Sequence, residues 1–301
     1  MIEKHLSSPG AILRVQFKQG TVLLPGCYDA ITAKVARKAG AKALYLSGAG
    51  VTNSVLAVPD IALVSLEEMV RQARNVVNAS GLPVVADADT GFGDMLNVIR
   101  TVKEYERAGL AGLHIEDQRS PKRCGHLDGK ELISTGEMAA KIIAGQKAKS
   151  DPSFLIIART DARGVNGLED ALARARSYEK AGADAIFPEG LQSIEEFKIF
   201  REEVQCPLMA NMTEFGKTPL ISVKDFSDMG YEMVIFPMTA FRMMLKSVTE
   251  AYEVLLKEGT QKNLLDKMKT RSELYEVIDY KEFEVLDKTI AEEAKRFEKE
   301  H

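Results

Sequence analysis

Cysteine and histidine are scarce in this chain. Of its 301 residues, three are cysteine and four are histidine. Cys27, Cys124 and Cys206 are widely spaced and odd in number, and no Cys-x-x-Cys pair occurs. A disulfide framework is thereby excluded, a reducing cytoplasm is expected, and a structural zinc site lacks its usual ligands. A basic excess is missing too. Forty Lys and Arg against 44 Asp and Glu give a net charge of −4, which argues against nucleic acid as a partner but leaves room for a local anion pocket. No apolar run reaches the length of a membrane span, and Met1–Ser7 has no apolar signal core, so neither membrane nor export is expected. Linkers and low-complexity segments are also absent.

What is present is an internal echo: a helix end, a glycine, then a short apolar strand. Gly40, Gly109, Gly182 and Gly230 lead into 43–47, 112–116, 185–189 and 233–236. Glycine just past a helix supplies a left-handed cap, and a continuous apolar run suits a strand covered on both faces. Four more strands fit the alternation, at 21–25, 83–88, 154–158 and 207–210. Helical spacing lies between them, at 67–78, 95–107, 138–147, 168–180 and 194–204. Eight strands alternating with helices predict a closed (β/α)8 barrel, one domain over 1–301. The alternative, an open doubly wound sheet, usually carries a glycine-rich nucleotide loop after its first strand, and none is there. Residues 240–301 read as a helical extension. Within it Phe283, Leu286, Ile290, Ala294 and Phe297 form a narrow apolar stripe. That stripe predicts packing against another subunit, with a helix folded on its own barrel as the plainer option.

Chemistry in such a barrel belongs at the C-terminal ends of the strands. The ends here carry Ser47, Asp87 with Asp89, Glu116 with Asp117, Arg159 with Asp161, Glu189, and Asn211 with Thr213. Asp87 and Asp89 share one strand face, and two crowded carboxylates need a proton or a cation. Mg²⁺ suits them, with Glu116 nearby; an acidic turn is the alternative. Ser47-Gly48-Ala49-Gly50 lacks the rest of a phosphate loop and is read instead as backbone N–H groups for a carboxylate. Arg159 and Arg242 each suit a forked carboxylate contact, against an ordinary surface ion pair. Lys122-Arg123-Cys124-Gly125-His126 sets a thiol among cations in a polar loop, which favours a lowered thiol pKa if those charges face it. Cys27 and Cys206 read as packing residues.

These motifs together resemble the isocitrate lyase and phosphoenolpyruvate mutase superfamily, and within it the methylisocitrate lyase branch. The resemblance runs over nearly the whole chain, through 47–50, 87–93, 115–118, 122–126, 158–162 and 211–214. The cysteine loop is its specific element; the Asp-x-Asp pair is common to the superfamily. The resemblance implies Mg²⁺-dependent (or Mn²⁺-dependent) cleavage of 2-methylisocitrate, a tricarboxylate, to pyruvate and succinate in propionate breakdown by a cytoplasmic homotetramer. It implies Asp87, Asp89 and Glu116 at the metal. Ser47, Gly48, Ala49, Gly125, Arg159, Glu189, Asn211, Met212 and Thr213 would bind substrate, with Arg242 and Arg271 assisting. Cys124 would protonate the carbanion, with Lys122 and Arg123 tuning it and His126 sharing the proton or ordering the loop. Gly125 and Gly129 would act as hinges, and Asp60 would support the closed loop. Tyr45 or a metal-bound hydroxide would serve as base. Ala49 stands where many relatives have glycine. Compact length, Arg123 and Phe187 favour methylisocitrate over isocitrate. Isocitrate cleavage, and a decarboxylase or mutase-like activity, are the alternatives.

Overall fold

The computed structural model describes residues 8–123, 125 and 129–300. Eight strands form: β1 (Val22–Cys27), β2 (Leu44–Leu46), β3 (Val84–Asp87), β4 (Gly112–Glu116), β5 (Leu155–Thr160), β6 (Ala185–Pro188), β7 (Met209–Asn211) and β8 (Met233–Phe236). Each falls within a residue or two of its expected place. Helix α1 (Pro9–Gln19) precedes β1, and α2 (Ala30–Lys38) follows it. After β2 come α3 (Gly48–Val51), a π-helical turn at Thr52–Leu56, and α4 (Leu66–Ser80). Next come α5 (Met95–Arg107), α6 (Thr135–Ala148), α7 (Leu168–Lys180), α8 (Ile194–Glu203) and α9 (Val223–Asp228), one after each of β3 to β7. The chain ends with α10 (Thr239–Glu258), α11 (Arg271–Val277) and α12 (Tyr280–Glu300).

All strand pairs are parallel, in the order β6-β5-β4-β3-β2-β1-β8-β7. The β6 and β7 edges meet through the bridge between Ile186 and Leu208, where the Ile186 N–H donates to the Pro207 carbonyl at 2.9 Å. The sheet is thus a nearly closed barrel rather than an open doubly wound sheet. The echo of glycines has the expected cause. Gly40, Gly109, Gly182 and Gly230 all adopt left-handed backbone angles, with φ between 81° and 99°, which an L side chain resists.

Alternate strand residues fill the barrel. Val22, Leu24, Tyr45, Val85, Leu155, Ile157, Phe187, Met233 and Ile235 make one buried cluster with Leu13 and Phe17 of α1. Helix α1 lies outside the repeating echo. Its Arg14 donates to the Ser153 carbonyl at 2.9 Å and pairs with Asp184 at 2.6 Å, so its apolar pair joins the core beside the start of β5.

The chain divides into two compact units, Met1–Arg242 and Met243–His301. In the second, Tyr275 and Tyr280 stack with ring centres 4.4 Å apart, between α11 and α12. Phe283, Leu286 and Ile290 on α12 are all more than half exposed. Among the described residues no helix is long and apolar enough to cross a membrane.

Candidate active site

The strand alternation that fills the core continues upward into polar residues. Val85 is followed two residues on by Asp87, His114 by Glu116, Ile157 by Arg159, Phe187 by Glu189 and Met209 by Asn211. Side chains two apart share a face, so one barrel end gathers Asp87, His114, Glu116, Arg159 and Glu189, all buried. Gly48 closes on this group, since a Cβ there would lie 2.6 Å from Asp87 Oδ2.

The acids outnumber the cations. Asp87 Oδ1 accepts the Asp89 N–H at 2.9 Å, an approach made with Asp89 at φ 46°. Lys122 Nζ is buried between Asp60 Oδ1 at 2.5 Å and Asp89 Oδ1 at 2.9 Å. Burial pushes the Asp89 carboxyl up to about 7, with Asp87 and Asp60 adding to the effect and Lys122 opposing it. Burial likewise drives Glu116 well above the ordinary carboxylate range against the pull of Arg159 and Lys122. Burial also acts on Asp87, but the nearby cations and the Asp89 N–H outweigh it and hold that carboxyl low. This is a site short of positive charge. Glu116 Oε1 is buried with no hydrogen-bond partner, as a donor set awaiting a cation would be. Among the described residues no three Asp, Glu, His or Cys side chains enclose a metal by themselves. The arrangement fits an ion that takes one or two carboxylates and keeps its waters.

Arg159 is the cationic centre. Its Nε lies 2.9 Å from Asp161 Oδ2 and 3.4 Å from Glu116 Oε2, and its Nη2 lies 3.4 Å from Glu189 Oε2. Asn211 Nδ2 donates to Glu189 Oε2 at 3.0 Å. The guanidinium sits 5.1 Å from the centre of the buried Phe187 ring. Below the carboxylates, the Tyr45 hydroxyl meets His114 Nε2 at 2.8 Å, and that nitrogen lies 3.6 Å from Asp87 Oδ1. Burial, helped by Asp87, raises the Tyr45 phenol well above its usual range. Tyr45 is therefore a reluctant base and a good neutral hydrogen-bonding group.

The remaining expected residues have the following settings. The Gly48-Ala49-Gly50 stretch is the first turn of α3, capped by Ser47: the Gly50 N–H is already taken by Ser47 Oγ at 3.0 Å. The cap takes that one N–H, while a helix start leaves its other early N–H groups without intrahelical partners. The charge of Lys122 is committed to Asp60 and Asp89. Arg242 Nε lies 3.6 Å from Glu214 Oε2, with the guanidinium 5.1 Å from the Phe215 ring, which is the ion-pair outcome. Met212 is buried, and its sulfur accepts the Ile221 N–H at 3.3 Å. Thr213 is half-buried next to it. Arg271 opens α11 in the second unit and is exposed. Cys124 and His126 lie outside the described residues. Gly125 packs tightly on the site, and Gly129 (φ 78°) lies against Arg123. Burial pushes the Cys27 thiol up, and burial with Glu179 pushes Cys206 up to about 12.

Sequence reasoning passes over His114, Lys130 and Gln118 as site members, and names Asp161 only as a strand-end acid beside Arg159. His114 has a usable signal, standing two residues before Glu116 on one strand. Lys130 has none, since its partner Asp161 is far away in sequence.

A barrel whose strand ends hold buried acids around Arg159 and Lys122 defines an enzyme for small carboxylate-bearing molecules. The family model described as phosphoenolpyruvate phosphomutase matches residues 13–256, and the chain belongs to that family. It is 49% identical to the 2-methylisocitrate lyase of Aeropyrum pernix, over all of this chain and 97% of that one. The Bacillus subtilis 2-methylisocitrate lyase is 47% identical, covering 89% of this chain and 88% of its own. Among solved structures, a 2,3-dimethylmalate lyase superposes with a TM-score of 0.89 at 36% identity, over 95% of this chain and 96% of that one. A phosphonopyruvate hydrolase, solved with oxalate and Mg²⁺, gives 0.84 at 26% identity, over 93% and 98%.

Proposed function

We propose that this chain is a carbon–carbon lyase that splits 2-methylisocitrate into pyruvate and succinate. The observation that carries the reading is the 49% identity, over the entire chain, to a 2-methylisocitrate lyase. The buried acid–arginine site supports it, because a tricarboxylate needs fixed cations and directed donors to bind.

Asp87, Asp89 and Glu116 would hold a divalent cation, Mg²⁺ or Mn²⁺, which would supply a Lewis acid that eases ionisation of the substrate hydroxyl. The Mg²⁺ of the related phosphonopyruvate hydrolase complex is consistent with this. Arg159, held by Asp161 and Glu189, orients a substrate carboxylate, with Asn211, Thr213 and the Ser47–Ala49 turn lining the remainder. Arg242 assists in that binding. Loss of the hydroxyl proton lets the carbon–carbon bond break, its electron pair moving onto the succinate carbon as the pyruvate carbonyl forms. Cys124 then delivers its thiol proton to that carbanion, and the hydroxyl proton restores the thiol. His126 and Arg123 order the donor's loop, while Lys122 anchors it to Asp60 and Asp89. Tyr45 acts as a neutral partner of His114 rather than as the base. Residues 240–301 extend the single barrel domain, and the exposed apolar face of α12 supports a homotetramer with C-terminal helices packed or exchanged between subunits. The cytoplasm is the expected compartment.

The test compares 2-methylisocitrate with isocitrate, each with Mg²⁺ and with chelator. Cleavage of the methyl substrate should be faster by about 10-fold or more, the range one methyl group allows, and should vanish with chelator. Equal isocitrate turnover, or turnover only of oxaloacetate or phosphoenolpyruvate, overturns the assignment.

A further inference from the structure

Two polar side chains from the base of the cysteine loop grip its backbone. The base is a short antiparallel ladder: Gln118 bridges Leu132, the Arg119 N–H donates to the Glu131 carbonyl at 2.7 Å, and the Ile133 N–H donates to the Asp117 carbonyl at 3.0 Å. From one side, the Gln118 amide makes both possible bonds to Arg123. Its Nε2 donates to the Arg123 carbonyl at 2.8 Å, and its Oε1 accepts the Arg123 N–H at 2.8 Å. From the other side, the buried Lys130 Nζ donates to the Gly125 carbonyl and pairs with Asp161 Oδ1 at 3.1 Å. Arg123 and Gly125 are the sequence neighbours of Cys124.

Asp161 is a firm anchor. Its own N–H donates to Asp117 Oδ1 at 2.9 Å, and Asp117 is held in turn by Thr160, Tyr178 and Arg174. The same Asp161 carboxylate takes two bonds from Arg159, at 2.9 and 3.2 Å. Gly125 meanwhile lies so close to this group that a Cβ on it would stand 2.5 Å from Arg159 Nη2 and 2.6 Å from Glu189 Cγ.

We propose that Lys130 is a positioning residue for the cleavage: through Asp161 it registers the loop backbone at Gly125 against Arg159, with Gln118 holding the other flank at Arg123. One carboxylate then fixes both the substrate-binding guanidinium and the backbone next to the proton donor. Misplacement of a reacting group by about 1 Å costs on the order of 100-fold in rate, so this grip acts on kcat. The inference rests on the lyase reading for its catalytic consequence, but the grip itself is measurable without turnover.

Lys130→Ala and Gln118→Glu are assayed on 2-methylisocitrate, alongside the rate at which iodoacetamide labels Cys124, read by mass spectrometry. The expected result for Lys130→Ala is a kcat loss of roughly 30- to 100-fold with KM within about threefold. Added ethylammonium, which refills the lost cation, should recover part of the rate, and Cys124 labelling should speed up. Gln118→Glu keeps one of two bonds and should show the same split more weakly; it stands in if Lys130→Ala does not fold. Parent-like kcat and parent-like labelling overturn the proposal, as does a loss carried by KM that ethylammonium leaves unchanged. Altered labelling in a protein whose parent form never cleaves the substrate sinks the lyase reading and keeps the grip.

Discussion

At the scale of single residues, His114 and Asp89 hold opposite titrations in one pocket. Burial, with Arg159 and Lys122 adding and Asp87 opposing, lowers His114 from 6.5 to about 4. Between those values the unfolded chain binds a proton that the folded imidazole refuses, so stability is lost as pH falls. Asp89 is raised from 3.8 to about 7. In that window the folded carboxyl holds a proton that the unfolded chain has released, so this contribution is present at low pH and is lost as pH rises. The two offset each other, each by a few kcal/mol. In chelator, Asp89→Asn should melt markedly lower at pH 5 than at pH 7, and His114→Gln should change in the reverse sense. Parallel melting curves for the two variants would contradict the argument. Asp87, Glu116, Arg159 and Glu189 are legible in the sequence because each sits at a predictable strand end. Lys130 is not, since a lone lysine says nothing until its partner is known.

At the scale of elements, glycine separates two kinds of helix position. Gly109 closes α5 at φ 86°, where an added Cβ would also lie 3.0 Å from Val77 Cγ1. Gly136 lies in the first turn of α6, and a Cβ added there would meet nothing within 4 Å. Gly109→Ala should destabilise by about 1–2 kcal/mol, and Gly136→Ala should stabilise by about 0.5–1 kcal/mol. Urea denaturation of the two variants checks the signs. The reverse pair of signs would mean that local backbone preference does not govern these ends. The barrel strands and most helices are legible for this same reason, since caps and apolar periods are local chemistry. Helix α1 is not, because its burial depends on Ser153 and Asp184, more than a hundred positions away.

At the scale of the molecule, the C-terminal unit carries apolar surface out of proportion to its size. Leu286 and Ile290 are 57% and 56% exposed on α12, and apolar faces of this kind mark association surfaces. Replacing both with lysine should lower the sedimenting mass from that of an oligomer, while the barrel's far-ultraviolet circular dichroism is kept. A parent chain that sediments as a monomer would remove the oligomer from the proposal.

Sequence by itself determined the barrel, since alternating periods and glycine caps act between near neighbours. It also determined which residues crown the strands, because strand alternation passes directly from core to site. Tertiary structure alone decided how those residues are spent. Lys122 is committed to Asp60 and Asp89, Ser47 caps its own helical turn, Arg242 pairs with Glu214, and Asp161 joins Lys130 to Arg159. Charges inside a barrel must find partners wherever the strands bring them, and Lys122, Lys130 and Arg242 find theirs far away in sequence.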